Sequence, residues 1–193
     1  MVLFNSDYTE GAHPKIMELM MSSNMEQTGG YGMDAYCDKA RALIRQQCGR
    51  EDIDVQFLVG GTQTNLTVIA ATLRPHQGVI SADTGHINVH ETGAVEATGH
   101  KVIALPSADG KLTAQQVLDC YHEHWNDATH EHIVQPGMVY ISNPTEIGSI
   151  YHRSELQALA AACRECGLPL FMDGARLGYG LAAEDNDLDL PTI

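Results

Sequence analysis

Short hydrophobic runs alternate with helix-like stretches along most of this chain. Runs rich in apolar and β-branched residues lie at 55–59, 79–81, 101–105, 138–142 and 168–173. Such runs, bounded by glycine, proline and polar residues, are typical of short buried strands. Because helix-like stretches separate them, the pattern predicts an α/β fold with a mostly parallel sheet flanked by helices.

The helix-like stretches have start and stop signals. Pro14 suits the first position of a helix, while Gly49 and Pro75 are suited to ending the second and third helices. Thr113-Ala114-Gln115-Gln116 and Ser154-Glu155-Leu156-Gln157 have the form of capping boxes. Helices are therefore predicted from 14 to about 20, 34 to 48, 62 to about 74, 88 to 97, 113 to about 127, and 154 to 166.

Composition limits the possible partners. A chain of 193 residues with 44% hydrophobic content most simply forms one globular domain. A net charge of −14 argues against nucleic acid or anionic membranes as partners, because both repel an acidic protein. The five cysteines form no dense framework, the chain opens without a signal-peptide pattern, and no apolar run approaches membrane-spanning length. A cytoplasmic protein with reduced thiols is expected.

Chemically useful groups follow four of the predicted strands. Gly61 comes after the first strand, His86 after the second, Asn143 after the strand at 138–142, and Asp173 ends the last strand. The carboxyl ends of parallel strands meet at the edge where open α/β sheets bind ligands. These groups are therefore expected to share one site.

Each group has a functional and a plain interpretation. The Gly60–Asn65 turn can direct backbone N–H groups at a phosphate, although such turns also occur for geometric reasons. His86 can stack on a flat ring and move protons, or can be a surface histidine. Asn143 can bind a ligand or build a turn. Glu146 can be a general base or a solvated loop residue, and Asp173 can pair with a cationic ring nitrogen.

A cluster of histidines between 122 and 132 offers a different hypothesis, a metal-dependent enzyme. His-x-His pairs bind metals best from one face of a strand, but this region is predicted to be a helix end and a loop. A solvated surface is therefore favoured, and no metal site is predicted.

Taken together, the motifs resemble one family. Asn5-Ser6-Asp7, Tyr31-Gly32, the turn from Gly61 to Asn65, Gly85-His86 and Asp173-Gly174-Ala175-Arg176 occur in an order that resembles the threonine aldolase and β-eliminating lyase family. Enzymes of that family have fold type I and use pyridoxal 5'-phosphate (PLP). The resemblance extends along nearly all of the chain and implies the large domain of such an enzyme.

The resemblance also implies roles. Gly61 and Thr62 would bind the cofactor phosphate, and His86 would stack on the pyridine ring. Asp173 would pair with the ring nitrogen and Arg176 would approach the phenolic oxygen. Two residues would bind substrate, Ser6 at its carboxylate and Glu146 near its β-hydroxyl. His86 and Asp173 are thus the predicted catalytic residues.

The implied reaction is retro-aldol cleavage of a small β-hydroxy amino acid, such as threonine to glycine and acetaldehyde. Glu146 stands where many of these aldolases carry histidine, which leaves β-elimination or transamination open. A binding module for a phosphorylated ligand, without catalysis, is a further alternative. The family typically forms homo-oligomers, so a dimer or tetramer is expected by resemblance.

The Schiff-base lysine of the family has no counterpart in this sequence. The lysines, at 15, 39, 101 and 111, all precede Asp173. Residues 1–193 are therefore expected to be the N-terminal portion of the PLP-binding large domain, incomplete at the C-terminus and without the small C-terminal domain.

Overall fold

A four-stranded parallel sheet forms the centre of the computed structural model, which describes residues 6–193. The strand order is β2-β1-β3-β4, and all three pairings are parallel. The strands are β1 (Gln77–Ala82), β2 (Val102–Leu105), β3 (Gln135–Ser142) and β4 (Leu170–Asp173). The prediction of a mostly parallel sheet flanked by helices is confirmed.

Helices connect these strands and precede them. They are α1 (Pro14–Ser23), α2 (Ala35–Cys48), α3 (Gly61–Thr72), α4 (His86–Val89), α5 (Ala94–Ala97), α6 (Ala114–Asn126), α7 (Arg153–Cys166) and α8 (Leu177–Leu181). Short 3₁₀ turns cover His130–His132 and Leu190–Thr192. None of the helices within the described residues is long and apolar enough to span a membrane.

Each face of the sheet packs against its own helices, because successive strand residues point to opposite sides. Ile80 and Val139 lie in one core cluster with Leu159 of α7. Val79 and Met138, their neighbours in sequence, lie in a second cluster with residues of α3, α4 and α5. This double covering explains why β1 and β3 are continuous buried runs rather than alternating ones.

The order of the strands fixes the place of a ligand site. From β1 the chain moves outward to β2 on one side, then returns to β3 on the other side of β1. The order therefore reverses between β1 and β3, and open α/β sheets bind ligands in the crevice at the carboxyl ends of such strands. The loops that leave β1 and β3 carry His86 and Glu146.

The predicted strand at 55–59 is wrong. This segment joins no sheet, and Val59 is almost fully exposed. Two arginines of α2 bond to backbone carbonyls in or just before it: Arg41 Nε donates to the Val55 carbonyl at 3.2 Å, and Arg45 Nε donates to the Ile53 carbonyl at 2.9 Å. A side-chain donor thus satisfies the Val55 carbonyl, which the apolar pattern assigned to a strand ladder.

Two helix predictions need correction. The stretch predicted as one helix over 88–97 forms α4 and α5, because Thr92 and Gly93 between them have φ of 54° and 73°. Helix α7 is capped by His152 rather than Ser154: the Glu155 carboxylate accepts from the His152 N–H at 2.7 Å. The capping box at Thr113 is confirmed.

Candidate functional site

A cleft of about 980 Å³ opens at the carboxyl edge of the sheet. His86, Glu146 and Arg176 form part of its wall. These same three residues also line a smaller cavity of about 70 Å³, which extends to Gly61 and Asp173. The structure therefore brings together the ends of β1, β3 and β4 and the start of α3, as the strand pattern predicted.

Most of the predicted site residues meet here. Gly61, His86, Glu146, Asp173 and Arg176 all line the smaller cavity. The two remaining residues line neither space. They are Thr62, which is exposed in the first turn of α3, and Ser6, whose hydroxyl is buried beside Asp7.

Asp173 is held by neutral donors. Its Oδ2 accepts from the side-chain amide of Asn65 at 2.9 Å and from the Tyr140 hydroxyl at 2.8 Å, and its Oδ1 accepts from the Ala175 N–H at 3.0 Å. Burial is the main cause that raises the pKa of Tyr140, followed by the nearby Asp173 charge, so this hydroxyl keeps its proton and donates it. No lysine, arginine or histidine pairs with Asp173 within residues 6–193.

His86 is anchored from its buried side. Its Nδ1 lies 2.8 Å from Glu91 Oε1, and the same oxygen accepts from Asn65 Nδ2 at 2.7 Å. The Glu91 side chain is fully buried, whereas 38% of the His86 side chain is exposed. One ligand atom each of His86, Glu91 and Asp173 lies within 4.8 Å of the others. Two carboxylates and an imidazole thus converge around Asn65.

Gly85 allows the chain to turn into α4 directly above the sheet. A Cβ at this position would lie 2.1 Å from the Ser81 hydroxyl and 3.0 Å from the Ala82 carbonyl oxygen. Only glycine avoids this overlap without a shift of the chain. The close approach places His86 at the end of β1.

Glu146 is a half-buried carboxylate at the cleft wall. Its Oε1 accepts from the His86 backbone N–H at 2.9 Å and from the Ser142 hydroxyl at 2.6 Å. Its Oε2 is buried and has no hydrogen-bond partner among the described residues. A carboxylate oxygen buried without a partner is costly, so it is suited to accept a bond from a ligand hydroxyl.

Arg176 pairs with Asp7 across the mouth of the cleft. Its Nε and Nη2 donate to the two carboxylate oxygens at 2.5 and 2.9 Å. The bond to Arg176 is the main cause that lowers the pKa of Asp7, so the pair is ionised. This bidentate contact brings the N-terminal segment beside the β4 end.

Helix α3 presents its N-terminus to the smaller cavity. The described contacts of Gly60, its N-cap, include no side-chain capping bond. Apart from chain neighbours and the helix's own backbone, no atom of residues 6–193 lies within 4 Å of a Cβ built on Gly60 or Gly61. Free N–H groups of a helix start suit an anion. The Thr64 hydroxyl donates to the Gly60 carbonyl at 2.9 Å, which leaves Thr62 as the exposed hydroxyl.

Asn143 lines neither the cleft nor the smaller cavity. It is buried, and its side-chain oxygen accepts from the Tyr151 N–H at 3.0 Å. This bond ties the loop after β3 to the segment before α7. Asn143 is therefore a structural residue, the second of its two interpretations.

Sequence reasoning missed Asn65, Glu91, Tyr140 and Ser142 as parts of the site. Asn65 lies one helical turn after Gly61, and Tyr140 lies two residues before the end of β3, on the face that meets Asp173. The helical and strand periods could have pointed to these two. Glu91 follows a short helix and carries no such signal.

The histidines of 122–132 do not form a metal-type cluster within the described part of the chain. His124 is instead buried, with its ring centroid 5.0 Å from that of Trp125 and 5.7 Å from that of His130. Burial is the main cause that lowers the pKa of His124, and the nearby His130 adds to the effect.

We predict that His124 lowers the free energy of unfolding at acidic pH. The His124 ring takes up a proton more readily in the unfolded state than in the folded one. Its contribution to the free energy of unfolding is therefore fully present above the ordinary histidine pKa of about 6.5 and is lost as the pH falls below that value. His124→Phe should flatten the dependence of Tm on pH between about pH 7 and pH 5. The exposed His122 offers a matched control, and equal pH dependence of His122→Phe and His124→Phe would contradict the prediction.

Fold and site together define a class of protein: an α/β domain with a cleft at the switch point of its sheet and a strand-end carboxylate that has no cationic partner among residues 6–193. The sequence profile of the β-eliminating lyase family matches residues 4–183. The chain belongs to this family, and its fold is that of the fold-type-I large domain.

Individual relatives agree. The low specificity L-threonine aldolase of Pseudomonas aeruginosa is 32% identical over 181 residues, which are 93% of this chain and 51% of that protein. The structure of Leishmania major threonine aldolase is 50% identical with a TM-score of 0.93, covering 97% of this chain and 54% of that one. A PLP-bound C-S lyase from Staphylococcus hominis, 12% identical with a TM-score of 0.54 over 82% of this chain and 40% of its own, shares the fold. The chain spans about half the length of these aldolases.

Proposed function

We propose that this chain is the cofactor-binding portion of a PLP-dependent threonine aldolase. Asp173 carries the proposal: its carboxylate accepts hydrogen bonds from the neutral donors Asn65 and Tyr140 and lacks a cationic partner among residues 6–193. A protonated pyridine nitrogen supplies the missing positive charge, and a carboxylate favours that protonated form.

The other walls of the cavity fit the rest of the cofactor. The open helix start at Gly61 and the hydroxyl of Thr62 suit the phosphate, and the half-exposed ring of His86 suits the face of a flat heterocycle. Arg176, beside the β4 end, would approach the phenolic oxygen. Ser6, with a buried hydroxyl that has no described partner, would help to hold the substrate carboxylate.

When bound, PLP supplies an electron sink for the pair released as the bond between Cα and Cβ of threonine breaks. The protein must then take the proton of the β-hydroxyl as acetaldehyde forms. We assign this proton to Glu146 Oε2, the buried oxygen at the cleft wall. Glu146 would thus do what a histidine does in many aldolases of the family.

We further propose that the full protein holds the Schiff-base lysine outside residues 1–193, since the lysines of this sequence all precede Asp173. Homo-oligomer formation, as a dimer or tetramer, is part of the same proposal. It is supported by α1, where Ile16, Leu19 and Met20 are each more than half exposed. The cytoplasmic location stays a prediction.

The test is a product assay with the full-length protein and PLP. L-Threonine should yield glycine and acetaldehyde in equal amounts, without any keto-acid acceptor. Ammonia with 2-oxobutanoate would instead indicate β-elimination, and a strict need for a keto acid would indicate transamination. PLP binding without any of these products would leave a binding module and overturn the aldolase assignment.

A further inference from the structure

Glu91 occupies an unusual position for a carboxylate. Its side chain is fully buried, and one of its oxygens, Oε1, accepts from Asn65 Nδ2 at 2.7 Å and lies 2.8 Å from Nδ1 of the His86 ring. Its other oxygen, Oε2, is buried with no partner among the described residues. A buried carboxylate oxygen needs hydrogen-bond partners, and for Oε1 the side chains of Asn65 and His86 are those partners.

This contact bears on the tautomer of the neutral His86 ring. An ionised carboxylate only accepts hydrogen bonds, so the ring nitrogen facing Glu91 must carry a hydrogen. The neutral ring is then the Nδ1–H tautomer, and Nε2 is the nitrogen with the free lone pair. Since His86 also lines the cleft, this sets which ring atom can exchange a proton there.

Asn65 links the same carboxylate to Asp173. Its Nδ2 has two hydrogens, and it donates at 2.7 Å to Glu91 Oε1 and at 2.9 Å to Asp173 Oδ2. With both hydrogens directed at carboxylates, the amide has one orientation. The spacing between Glu91 and Asp173 is therefore set by a single rigid group on α3.

We propose that Glu91 is the positioning residue of this site. It fixes His86 as the Nδ1–H tautomer and, through Asn65, sets the ring of His86 relative to Asp173. The inference rests on the proposed function, because His86 and Asp173 are the groups assigned to the face and the nitrogen of PLP. Glu91 itself lies behind them and acts only through them.

The first measurement is the tautomer of His86 in the full-length protein, by ¹⁵N NMR of the histidine rings. The His86 signals are those missing from the spectrum of His86→Phe. At a pH where the ring is neutral, the wild type should show a protonated Nδ1 and an unprotonated Nε2. The opposite tautomer in the wild type would overturn the proposal without any variant of Glu91.

The second measurement is PLP binding, followed by absorbance and by the induced circular dichroism of the cofactor. Glu91→Leu removes the acceptor, so we expect the Nε2–H tautomer, weaker induced dichroism and roughly ten- to a hundred-fold weaker binding, as for carboxylates that orient metal-binding histidines. Glu91→Gln keeps an acceptor oxygen and should retain the tautomer. Glu96→Leu, at an exposed position on the neighbouring α5, is the matched control.

The outcomes separate the two claims. Wild-type protein that fails to bind PLP would refute the proposed function, whatever its tautomer. Wild-type protein that binds PLP, together with a folded Glu91→Leu variant of unchanged tautomer and dichroism, would refute the positioning role alone. If Glu91→Leu does not fold, the wild-type tautomer still decides.

Discussion

Asp173→Asn in the full-length protein should lower kcat/KM for L-threonine by roughly 10²- to 10⁴-fold, the largest loss we expect at this site. Removing one member of a buried ion pair typically costs about 3–5 kcal/mol, and each 1.4 kcal/mol is about tenfold in rate. Asparagine keeps the size of the side chain but removes the negative charge that would keep the ring nitrogen protonated. The loss should therefore fall mainly on kcat.

Steady-state kinetics at saturating PLP measure this effect, because saturation separates weak cofactor binding from slow chemistry. Asp185→Asn, in an exposed acidic loop, removes the same charge away from the site and should retain wild-type kinetics. Comparable kcat/KM for Asp173→Asn and the wild type would contradict the pyridinium role. The thermal unfolding of Asp173→Asn should be measured alongside its kinetics, because Asp173 also accepts hydrogen bonds from Asn65 and Tyr140 and its loss can lower the Tm.

The site residues that the sequence predicts best are those that lie at or just after the end of a strand. Asp173 and His86 could be placed because buried apolar runs fix where β4 and β1 stop, and parallel strands bring their carboxyl ends together. Asn65 and Glu91 could not be placed in the same way. Their roles depend on how α3 and the turn after α4 pack over the sheet. The helical or strand spacing of residues in the sequence does not predict that packing.

The segment at 55–59 shows the opposite case, a local signal overruled by tertiary structure. Its apolar composition favours a strand, but a strand also needs a neighbour with free backbone groups. In this structure α2 places Arg41 beside it, and the guanidinium lies 5.5 Å from the centre of the Phe57 ring. A helix start at 62, one residue after the observed start of α3 at Gly61, was still predicted, because glycine marks the turn whether or not a strand precedes it.

Glu146→Gln should give the second large loss, about 10²-fold or more in kcat for L-threonine, as expected when a general base is removed. The amide oxygen of glutamine can still accept from the His86 N–H and the Ser142 hydroxyl, so the loop after β3 should keep its shape. What disappears is the buried oxygen that can take up a proton, Oε2. PLP affinity should therefore change little while kcat falls.

The pH profile of kcat distinguishes a base from a structural residue, because its acid limb reports the base in the enzyme–substrate complex. In Glu146→Gln that limb should be lost, whereas Glu184→Gln, at an exposed position, should retain the wild-type profile. A variant that lost activity with an unchanged acid limb would assign the proton to another group. His86 Nε2 would then be the first candidate, since His86 lines the same cleft and its Nδ1 faces Glu91.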